Sequence, residues 1–203
     1  PYRTGIKASM TLALPTTNYT LAYVAKEQTM AQWVAEDQIV GNVAPAAAVH
    51  VRPARNDDIA AIVAVVDENA RLGHLLPRSA ENIQSSLASW LVAEINGQVV
   101  GIGSLVDMSP TLVEVRSLAV LPAYRSYGIG AHLVDALVDQ ARERGIPTIF
   151  ALTRAVSFFT RLGFVISARE SFPEKVWKDC VVCPLQHHCD ETAVVFEMGR
   201  ELP

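Results

Sequence analysis

Residues 118 to 133 read LAVLPAYRSYGIGAHL, and this stretch decides the fold of the chain. An apolar strand runs into a turn that contains proline, and a basic residue, two glycines and an amphipathic helix follow. Gly128 and Gly130 lack a Cβ, so the backbone can turn tightly and let another group approach its amides. The helix that begins near Ile129 directs unsatisfied N–H groups and the positive end of its dipole at that group. Arg125 adds a fixed charge suited to phosphate, so the stretch predicts an anion-binding loop.

Two well-known phosphate-binding motifs are absent from the sequence. It contains no Gly-x-x-x-x-Gly-Lys-Ser/Thr, the P-loop signature, and no Gly-x-Gly-x-x-Gly, the dinucleotide fingerprint. The pattern that remains, from Arg125 to Gly130, is Arg-x-x-Gly-x-Gly between a strand and a helix. It resembles the pyrophosphate loop of the GNAT family of N-acetyltransferases, which bind acetyl-CoA. Taken alone, the pattern also fits a glycine-rich turn that binds nothing.

This resemblance implies how acetyl-CoA is held. The loop would bind the pyrophosphate, and backbone N–H groups of the preceding strand would polarise the thioester carbonyl as an oxyanion hole. The candidate cofactor-binding residues are Leu118, Ala119, Val120, Arg125, Ser126, Tyr127, Gly128, Ile129, Gly130, Ala131 and Phe158.

The pattern of apolar residues predicts the element order β-α-α-β-β-β-α-β-α-β-β from residue 49 onward. Asn96-Gly97 marks a hairpin between two of the strands. This is the order of the GNAT fold, which implies an α/β (α+β) domain with a central mixed, mostly antiparallel sheet and helices on both faces. A splayed pair of strands would open a slot for the pantetheine arm of the cofactor.

We therefore expect a GNAT acetyltransferase domain at residues 49 to 203 and an N-terminal arm or extension at residues 1 to 48. The arm is expected to pack on the main domain or on a second subunit of a homodimer. A separate functional element is the alternative for the arm.

The composition restricts the classes of function. Of the 203 residues, 50% are hydrophobic and 19% are charged, which is typical of a folded domain with a substantial core. The net charge of −4 does not indicate the excess of positive charge that binds nucleic acid or an anionic membrane. No apolar run approaches the roughly 18 residues that span a bilayer, and no signal-peptide pattern opens the sequence. We therefore expect partners that are neither nucleic acid nor membrane. The three cysteines all lie between Cys180 and Cys189 and do not suggest a distributed disulfide framework, so we expect a cytoplasmic protein.

Three further segments narrow the resemblance to the transferase domain of short-form N-acetylglutamate synthases. They are residues 73 to 79 (GHLLPRS), 114 to 120 (EVRSLAV) and 150 to 164 (FALTRAVSFFTRLGF). The resemblance implies an N-acetyltransferase that uses acetyl-CoA to acetylate the α-amine of L-glutamate by direct transfer, the first step of arginine biosynthesis. Acetylation of another small amine, or of a protein N-terminus or lysine, is one alternative, because acceptor choice depends on few side chains. A non-catalytic acetyl-CoA-binding regulatory module is the other.

Glu114 is the candidate catalytic base. Acetyl transfer needs a deprotonated amine, and an α-ammonium has a reference pKa of about 8. A carboxylate that acts directly or through a water would remove that proton. The alternative is that Glu114 only pairs with Arg116 at the surface of the strand. An unbroken strand would place four alternate residues on one face: Glu114, Arg116, Leu118 and Val120.

The leaving group has no assigned proton donor. Phe159 stands where many GNAT enzymes have the tyrosine that protonates the leaving thiolate, and its ring carries no proton to give. The resembled synthases also have an aromatic residue without a hydroxyl at this position.

Arginine side chains are the candidate ligands of the acceptor. L-Glutamate has two carboxylates, and arginine binds carboxylate through two parallel hydrogen bonds. Arg78 and Arg154 occupy the positions at which the resembled synthases hold glutamate, and Arg116 is a weaker third candidate. An ordinary solvated arginine is the alternative for each. The substrate-binding residues that the resemblance implies are Arg78, Arg116, Ser117 and Arg154.

Residues 175 to 191, KVWKDCVVCPLQHHCDE, form a cysteine-rich segment. Cys180, Cys183 and Cys189 with a neighbouring histidine offer enough ligands for tetrahedral zinc. The spacing is very compressed for a structural zinc site, so a metal-free lid or substrate-side loop is favoured over zinc, and a redox-active pair is a third option. Lys175 or Lys178 is expected near the acceptor pocket, because the segment precedes the final strand.

Overall fold

The computed structural model describes residues 48 to 199 of the 203-residue chain. The predicted N-terminal arm at residues 1 to 48 lies outside the described residues, except for its last residue. Within the described part, seven strands form one open sheet. The strands are β1 (His50–Pro53), β2 (Trp90–Ile95), β3 (Gln98–Ser109), β4 (Leu112–Val120), β5 (Thr148–Thr153), β6 (Val165–Ser167) and β7 (Thr192–Glu197). The helices are α1 (Ile59–Arg71), α2 (Ala80–Ser85), α3 (Ile129–Glu143), α4 (Val156–Arg161) and α5 (Pro173–Lys178).

The sheet is mixed but mostly antiparallel, as predicted. Its strand order is β1-β2-β3-β4-β5-β7-β6. Strands β4 and β5 run parallel, and the other neighbouring strands run antiparallel. A parallel pair needs a crossover connection, which helix α3 provides. The observed element order matches the predicted one, with α5 and several 3₁₀ turns added between β6 and β7.

Asn96 and Gly97 make the turn between β2 and β3, with φ values of 50° and 80°. Tight hairpin turns of this kind need positive φ at both central residues, and Asn-Gly reaches that conformation at low cost. The predicted hairpin is confirmed.

Helices cover both faces of the sheet, which confirms this part of the predicted fold. On one face, α3 packs on the strands through a buried apolar cluster that includes Leu133 and Val115. On the other face, α1 does so through a second cluster that includes Ile62 and Val92. None of the helices within residues 48 to 199 is long and apolar enough to cross a lipid bilayer.

Strand β4 contains a β-bulge at Ser117. The register between β3 and β4 shifts by one residue between the pairings of Arg116 and Ala119, and Ser117 has a φ of 53°. An extra residue in one strand reverses the alternation of side chains beyond it. Odd-numbered residues before the bulge and even-numbered residues after it therefore point to the same face of the sheet.

The predicted common face for Glu114, Arg116, Leu118 and Val120 is wrong, because that prediction assumed an unbroken strand. Leu118 and Val120 pack against the apolar cluster under α3, in which Val115 also lies. Glu114 and Arg116 alternate with Val115 and so point to the opposite face. The bulge thus separates the carboxylate from the last residues of β4.

Strands β4 and β5 diverge where Glu114 lies. They pair over only three positions, and the last of these pairs Glu114 with Phe150. Beyond that position β4 stays paired with β3, whereas β5 stays paired with β7 as far as Thr153. The predicted splayed pair of strands is confirmed, and the gap begins at the candidate base.

Candidate active site

The loop after β4 has the backbone conformation of an anion-binding turn. Ser126 and Gly128 have φ values of 69° and 75°, and Gly128 is the N-cap of α3. The first amides of this helix, from Ile129 onward, have no carbonyl one turn earlier to which they could donate. Together with the helix dipole they make a positive backbone site at the position that the sequence indicated.

Gly130 brings the start of α3 close to α4. A Cβ added at Gly130 would lie 3.3 Å from the ring of Phe158, so a larger residue would push the two helices apart. Phe158 in turn packs edge-on against the buried Phe159, with ring centroids 5.1 Å apart. The aromatic pair therefore fixes where α4 meets the loop. Two further loop residues that the sequence indicated, Tyr127 and Ala131, are half-buried in the same turn.

Arg125 lies at the loop and is bonded to two other elements. Its Nη2 donates to Asn69 Oδ1 at 2.9 Å, and its Nε donates to the carbonyl of Val120 at 3.3 Å. Asn69 is buried in the last turn of α1, where its side chain also donates to the Val65 carbonyl at 2.8 Å. Arg125 thus ties the loop to α1 as well as supplying charge, and the sequence pattern does not reveal this partner.

Leu118, Ala119 and Val120 form the part of β4 that has left β5. Ala119 and Val120 pair with β3, so one edge of this segment is bonded within the sheet. The other edge faces the gap instead of β5. Backbone groups on such an edge need a partner, and a bound thioester could supply one, as expected for an oxyanion hole.

Glu114 is the centre of an ion cluster, which we define as Glu114, Arg116, Lys175 and Asp179. Only 3% of Glu114 is exposed. Its carboxylate accepts from Arg116 Nε at 2.9 Å and from Lys175 Nζ at 2.8 Å. Asp179 contacts the same two cations, Lys175 Nζ at 3.2 Å and Arg116 through Nη2. The pairing of Glu114 with Arg116 that we considered as an alternative is present, but it is buried rather than open to solvent.

The two lysines of α5 differ in position. Lys175 lies in the ion cluster, and its side chain is 12% exposed. Lys178 is exposed and donates to the carbonyl of Asp107 at 3.4 Å. Of the two lysines expected near the acceptor pocket, Lys175 is therefore the one that the fold brings to Glu114.

The charges of the cluster change the pKa of Arg116 and of Asp179. Burial by itself lowers the pKa of Arg116, but the carboxylates of Glu114 and Asp179 outweigh burial and raise it above its ordinary value. Burial by itself raises the pKa of Asp179, but Lys175 and Arg116 outweigh burial and lower it. The cluster therefore holds Arg116 and Asp179 in their charged forms.

Residues 73 to 79 bring Arg78 to the ion cluster. Arg78 Nε donates to Ser117 Oγ at 2.9 Å, so the bulge residue links the arginine to β4. Ser79 caps α2 by accepting from the Asn82 N–H at 3.3 Å, which fixes the chain just after Arg78. Burial lowers the pKa of Arg78, and the nearby positive charge of Arg116 lowers it further. The bulge thus brings three of the four candidate acceptor residues together: Arg78, Arg116 and Ser117.

Arg154 lies just beyond β5, outside this group. Its Nη1 donates to the carbonyl of Gly73 at 2.8 Å, and its Nε lies 3.2 Å from Asp190 Oδ1. Its side chain is 42% exposed. Among residues 48 to 199, no hydrogen bond or ion pair joins Arg154 to the ion cluster. Arg154 instead connects the segment that carries Arg78 to the end of the cysteine-rich segment.

Two acidic residues of this region were not among the predicted site residues: Asp179 and Glu191. Burial raises the pKa of Glu191; its acidic neighbours add to the rise, and Arg154 and Lys175 oppose it. Asp179 follows Lys175 by four residues, a spacing that indicates a shared helix face. No sequence pattern indicates Glu191. This residue is brought to the site by the pairing of β7 with β5, in which Thr192 lies opposite Thr153.

The three cysteines of the segment, Cys180, Cys183 and Cys189, are free and half-buried thiols. Burial raises the pKa of the Cys180 thiol. Within residues 48 to 199, no three His, Cys, Asp or Glu side chains are grouped so that they could hold a metal ion. The preference for a metal-free segment over a zinc site stays a prediction.

The family follows from comparison with known proteins. Residues 68 to 164 match the model of the Acetyltransferase (GNAT) family. The chain is 40% identical over 151 residues to an uncharacterised N-acetyltransferase of Chlorobaculum tepidum, across 74% of this chain and 97% of that protein. The chain belongs to the GNAT acetyltransferase family. The predicted family resemblance and fold class are thereby confirmed, and the GNAT domain is an acyltransferase of this family's type.

Two further relatives of this GNAT domain have more specific names. It is 38% identical over 117 residues to an amino-acid acetyltransferase of Mycobacterium tuberculosis, across 56% of this chain and 67% of that protein. It superposes with a TM-score of 0.68 and 28% identity on N-acetylglutamate synthase from Neisseria gonorrhoeae complexed with coenzyme A and N-acetyl-glutamate. That match covers 76% of this chain and 36% of the synthase, so the chain spans about a third of that relative.

The conformation of Gly128 generates a prediction for the GNAT loop. Gly128→Ala puts a Cβ at a φ of 75°, which costs about 1 kcal/mol unless the loop amides shift. We expect coenzyme A to bind the variant roughly tenfold more weakly by isothermal titration calorimetry.

Gly145→Ala is the matched control. Gly145 follows the other end of α3, has a φ of 69° and has open space around it. The Gly145→Ala variant should be destabilised about as much as Gly128→Ala, as measured by thermal denaturation, and should bind coenzyme A with unchanged affinity. Equal coenzyme A affinities in the two variants would contradict a cofactor role for the loop.

Proposed function

We propose that this GNAT enzyme is an acetyl-CoA:L-glutamate N-acetyltransferase, which makes N-acetylglutamate by direct transfer, the first step of arginine biosynthesis. One observation carries the proposal. The buried Glu114 contacts two cations, Arg116 and Lys175, at the point where β4 leaves β5. A third cation, Arg78, lies nearby and is bonded to Ser117. An acceptor that presents both an amine and carboxylates matches this arrangement in charge.

The relatives support the same acceptor. One is named as an amino-acid acetyltransferase, and another is an N-acetylglutamate synthase complexed with coenzyme A and N-acetyl-glutamate. The identities of 38% and 28% are moderate, and acceptor choice in one fold depends on few side chains. The proposal therefore rests on the residues of the cluster and takes its support from the relatives.

On the donor side, the first amides of α3 and the positive-φ turn at Gly128 would hold the pyrophosphate of acetyl-CoA. The edge of β4 that faces the gap, at residues 118 to 120, would hold the thioester carbonyl by its backbone N–H groups. Phe158 would close the cofactor slot from α4. Acetyl-CoA supplies the activated acetyl group as its thioester.

On the acceptor side, Glu114 would take one proton from the α-ammonium, directly or through a water, and leave a neutral amine. The amine nitrogen then forms a bond to the acetyl carbon as the bond from that carbon to sulfur breaks. The second proton on nitrogen passes to the coenzyme A sulfur, and the proton on Glu114 returns to solvent. The products are N-acetylglutamate and coenzyme A, and no enzyme-bound acetyl group is formed.

The carboxylates of L-glutamate would be held by the cations around Glu114 and by Arg154. Arg78 and Arg116 offer planar, bidentate donors, and Lys175 offers a compact charge. Arg154 already donates to the Gly73 carbonyl and pairs with Asp190, and both of these residues are exposed. To bind a carboxylate of the acceptor, Arg154 would have to share or give up these two contacts. A homodimer and a cytoplasmic location stay predictions.

A coenzyme A release assay with a panel of acceptors tests the proposed function. The panel contains L-glutamate, other amino acids, a polyamine, and peptides with a free N-terminus or lysine. L-Glutamate should give the highest kcat/KM, and Arg154→Ala should lower that value about a hundredfold by removing a carboxylate ligand. Arg161→Ala, an exposed arginine at the end of α4, should leave it unchanged. Turnover of an unrelated amine with none of L-glutamate would refute the proposal.

The role of Glu114 is tested by Glu114→Gln, which keeps the size of the side chain but cannot accept the proton. We expect kcat with L-glutamate to fall about a hundredfold or more at neutral pH. The deficit should shrink toward pH 9, because more of the amine is then neutral in solution. Glu94→Gln is the control, since Glu94 is also paired with an arginine, Arg52, at 2.7 Å, but on β2. A kcat within threefold of the wild type would leave Glu114 as an ion-pair partner only.

The two lysines of α5 provide a matched pair. Lys175 contacts Glu114 and is a proposed ligand of an acceptor carboxylate. Lys175→Ala removes this cation, so the KM for L-glutamate should rise about tenfold. Lys178→Ala removes an exposed cation three residues away and should leave the KM unchanged. Steady-state kinetics at saturating acetyl-CoA measure both values. An unchanged KM in both variants would exclude Lys175 from acceptor binding.

A further inference from the structure

Asp179 makes the contacts that a bound carboxylate would make. One of its oxygens, Oδ2, lies 3.2 Å from Lys175 Nζ and also contacts Arg116 Nη2. These are two of the cations that surround Glu114. In the proposed function, the same arginine and lysine would hold a carboxylate of the acceptor.

The two carboxylates of the ion cluster differ in burial. The Glu114 side chain is 4% exposed, whereas the Asp179 side chain is 32% exposed. Removing Glu114 from its cations would leave a charge in the interior, which is costly. Asp179 lies nearer to solvent, where water can replace its partners, so separating it from its cations costs less than separating Glu114 from them. Asp179 is therefore the member of the cluster that can exchange for another carboxylate.

The chain that follows Asp179 is mostly exposed and is not held by strand pairing. Asp179 ends α5, a helix of one and a half turns, and residues 180 to 191 beyond it contain only short 3₁₀ turns before β7. Val181 and Val182, just after Asp179, are 44% and 78% exposed. Segments with little buried apolar surface and no strand pairing open at low cost.

We infer that the carboxylate of Asp179 competes with a carboxylate of the acceptor for Arg116 and Lys175. Acceptor binding then displaces Asp179 and frees the start of the cysteine-rich segment. The inference rests on the proposed function and adds to it an internal competitor that sets the affinity for the acceptor. The energy needed to displace Asp179 reduces the apparent affinity, as for any site that is competent in only a fraction of molecules.

If Asp179 competes with the acceptor, its removal should lower the KM for L-glutamate. If Asp179 only orients Arg116 and Lys175, its removal should raise the KM. Asp179→Asn keeps the size of the side chain and removes its charge. If Asp179 competes, the KM for L-glutamate falls about threefold or more, and kcat changes less than the KM, because Glu114 and its two cations remain in place. If Asp179 instead orients Arg116 and Lys175, the same variant raises the KM. Asp139→Asn, which removes a carboxylate paired with Arg142 on α3, is the control and should change neither value.

A second measurement follows the movement without turnover. Cys180 is half-buried and adjacent to Asp179, so its rate of alkylation by a maleimide, mapped by mass spectrometry, reports opening of the segment. With coenzyme A present, L-glutamate should accelerate the alkylation of Cys180 in the wild type. In Asp179→Asn the alkylation should already be fast and respond little to L-glutamate.

The possible failures are distinguishable. If the wild type releases no coenzyme A with L-glutamate, the proposed function fails and the inference fails with it. If the wild type uses L-glutamate but Asp179→Asn has an unchanged or higher KM, the inference alone is overturned. Slower alkylation of Cys180 when L-glutamate binds would also overturn it, because the segment would then close on the acceptor instead of being displaced.

Discussion

The divergence of β4 from β5 is the constraint on which the rest of this structure depends. Two parallel strands that share only three positions leave backbone edges open on both sides of a gap. The bulge at Ser117 lies where β4 has left β5. It reverses the alternation of side chains, so Leu118 and Val120 point away from the face that carries Glu114. In our proposal, the unpaired edge at the end of β4 holds the donor, and the face that carries Glu114 holds the acceptor. A straight, fully paired β4 would have neither.

Burial of Glu114 couples two properties that are usually considered separately. A lone carboxylate at 3% exposure would cost several kcal/mol, so the fold has to supply cations next to it. In our proposal the same cations recognise the acceptor. Arg116 is local to β4, but Lys175 comes from α5, far along the chain. The stability of the site and its specificity therefore depend on the same side chains, and a change to one of them affects both.

The sequence is sufficient for features that depend on neighbouring residues. The glycine loop, the Asn96-Gly97 hairpin and the element order could all be predicted, because turn chemistry and periodicity are local. The opposite orientations of Glu114 and Leu118 could not be predicted, since nothing in a serine indicates that Ser117 adopts a positive φ. Asp179 and Glu191 reach the site through long-range packing of α5 and β7, and Arg125 finds Asn69 in the same way. Contacts of that kind follow from the assembled sheet and not from a motif.

The strand order has a consequence for synthesis of the protein. Strand β7 follows β6 in the chain but lies between β5 and β6 in the sheet. On the ribosome, β5 therefore has an open edge, and β6 has no partner, until residues 192 to 197 have emerged. Apolar edges of that kind pair readily with other chains and lead to aggregation. Arrival of β7 covers both strands, so the same step protects the nascent chain and brings Glu191 to the candidate site.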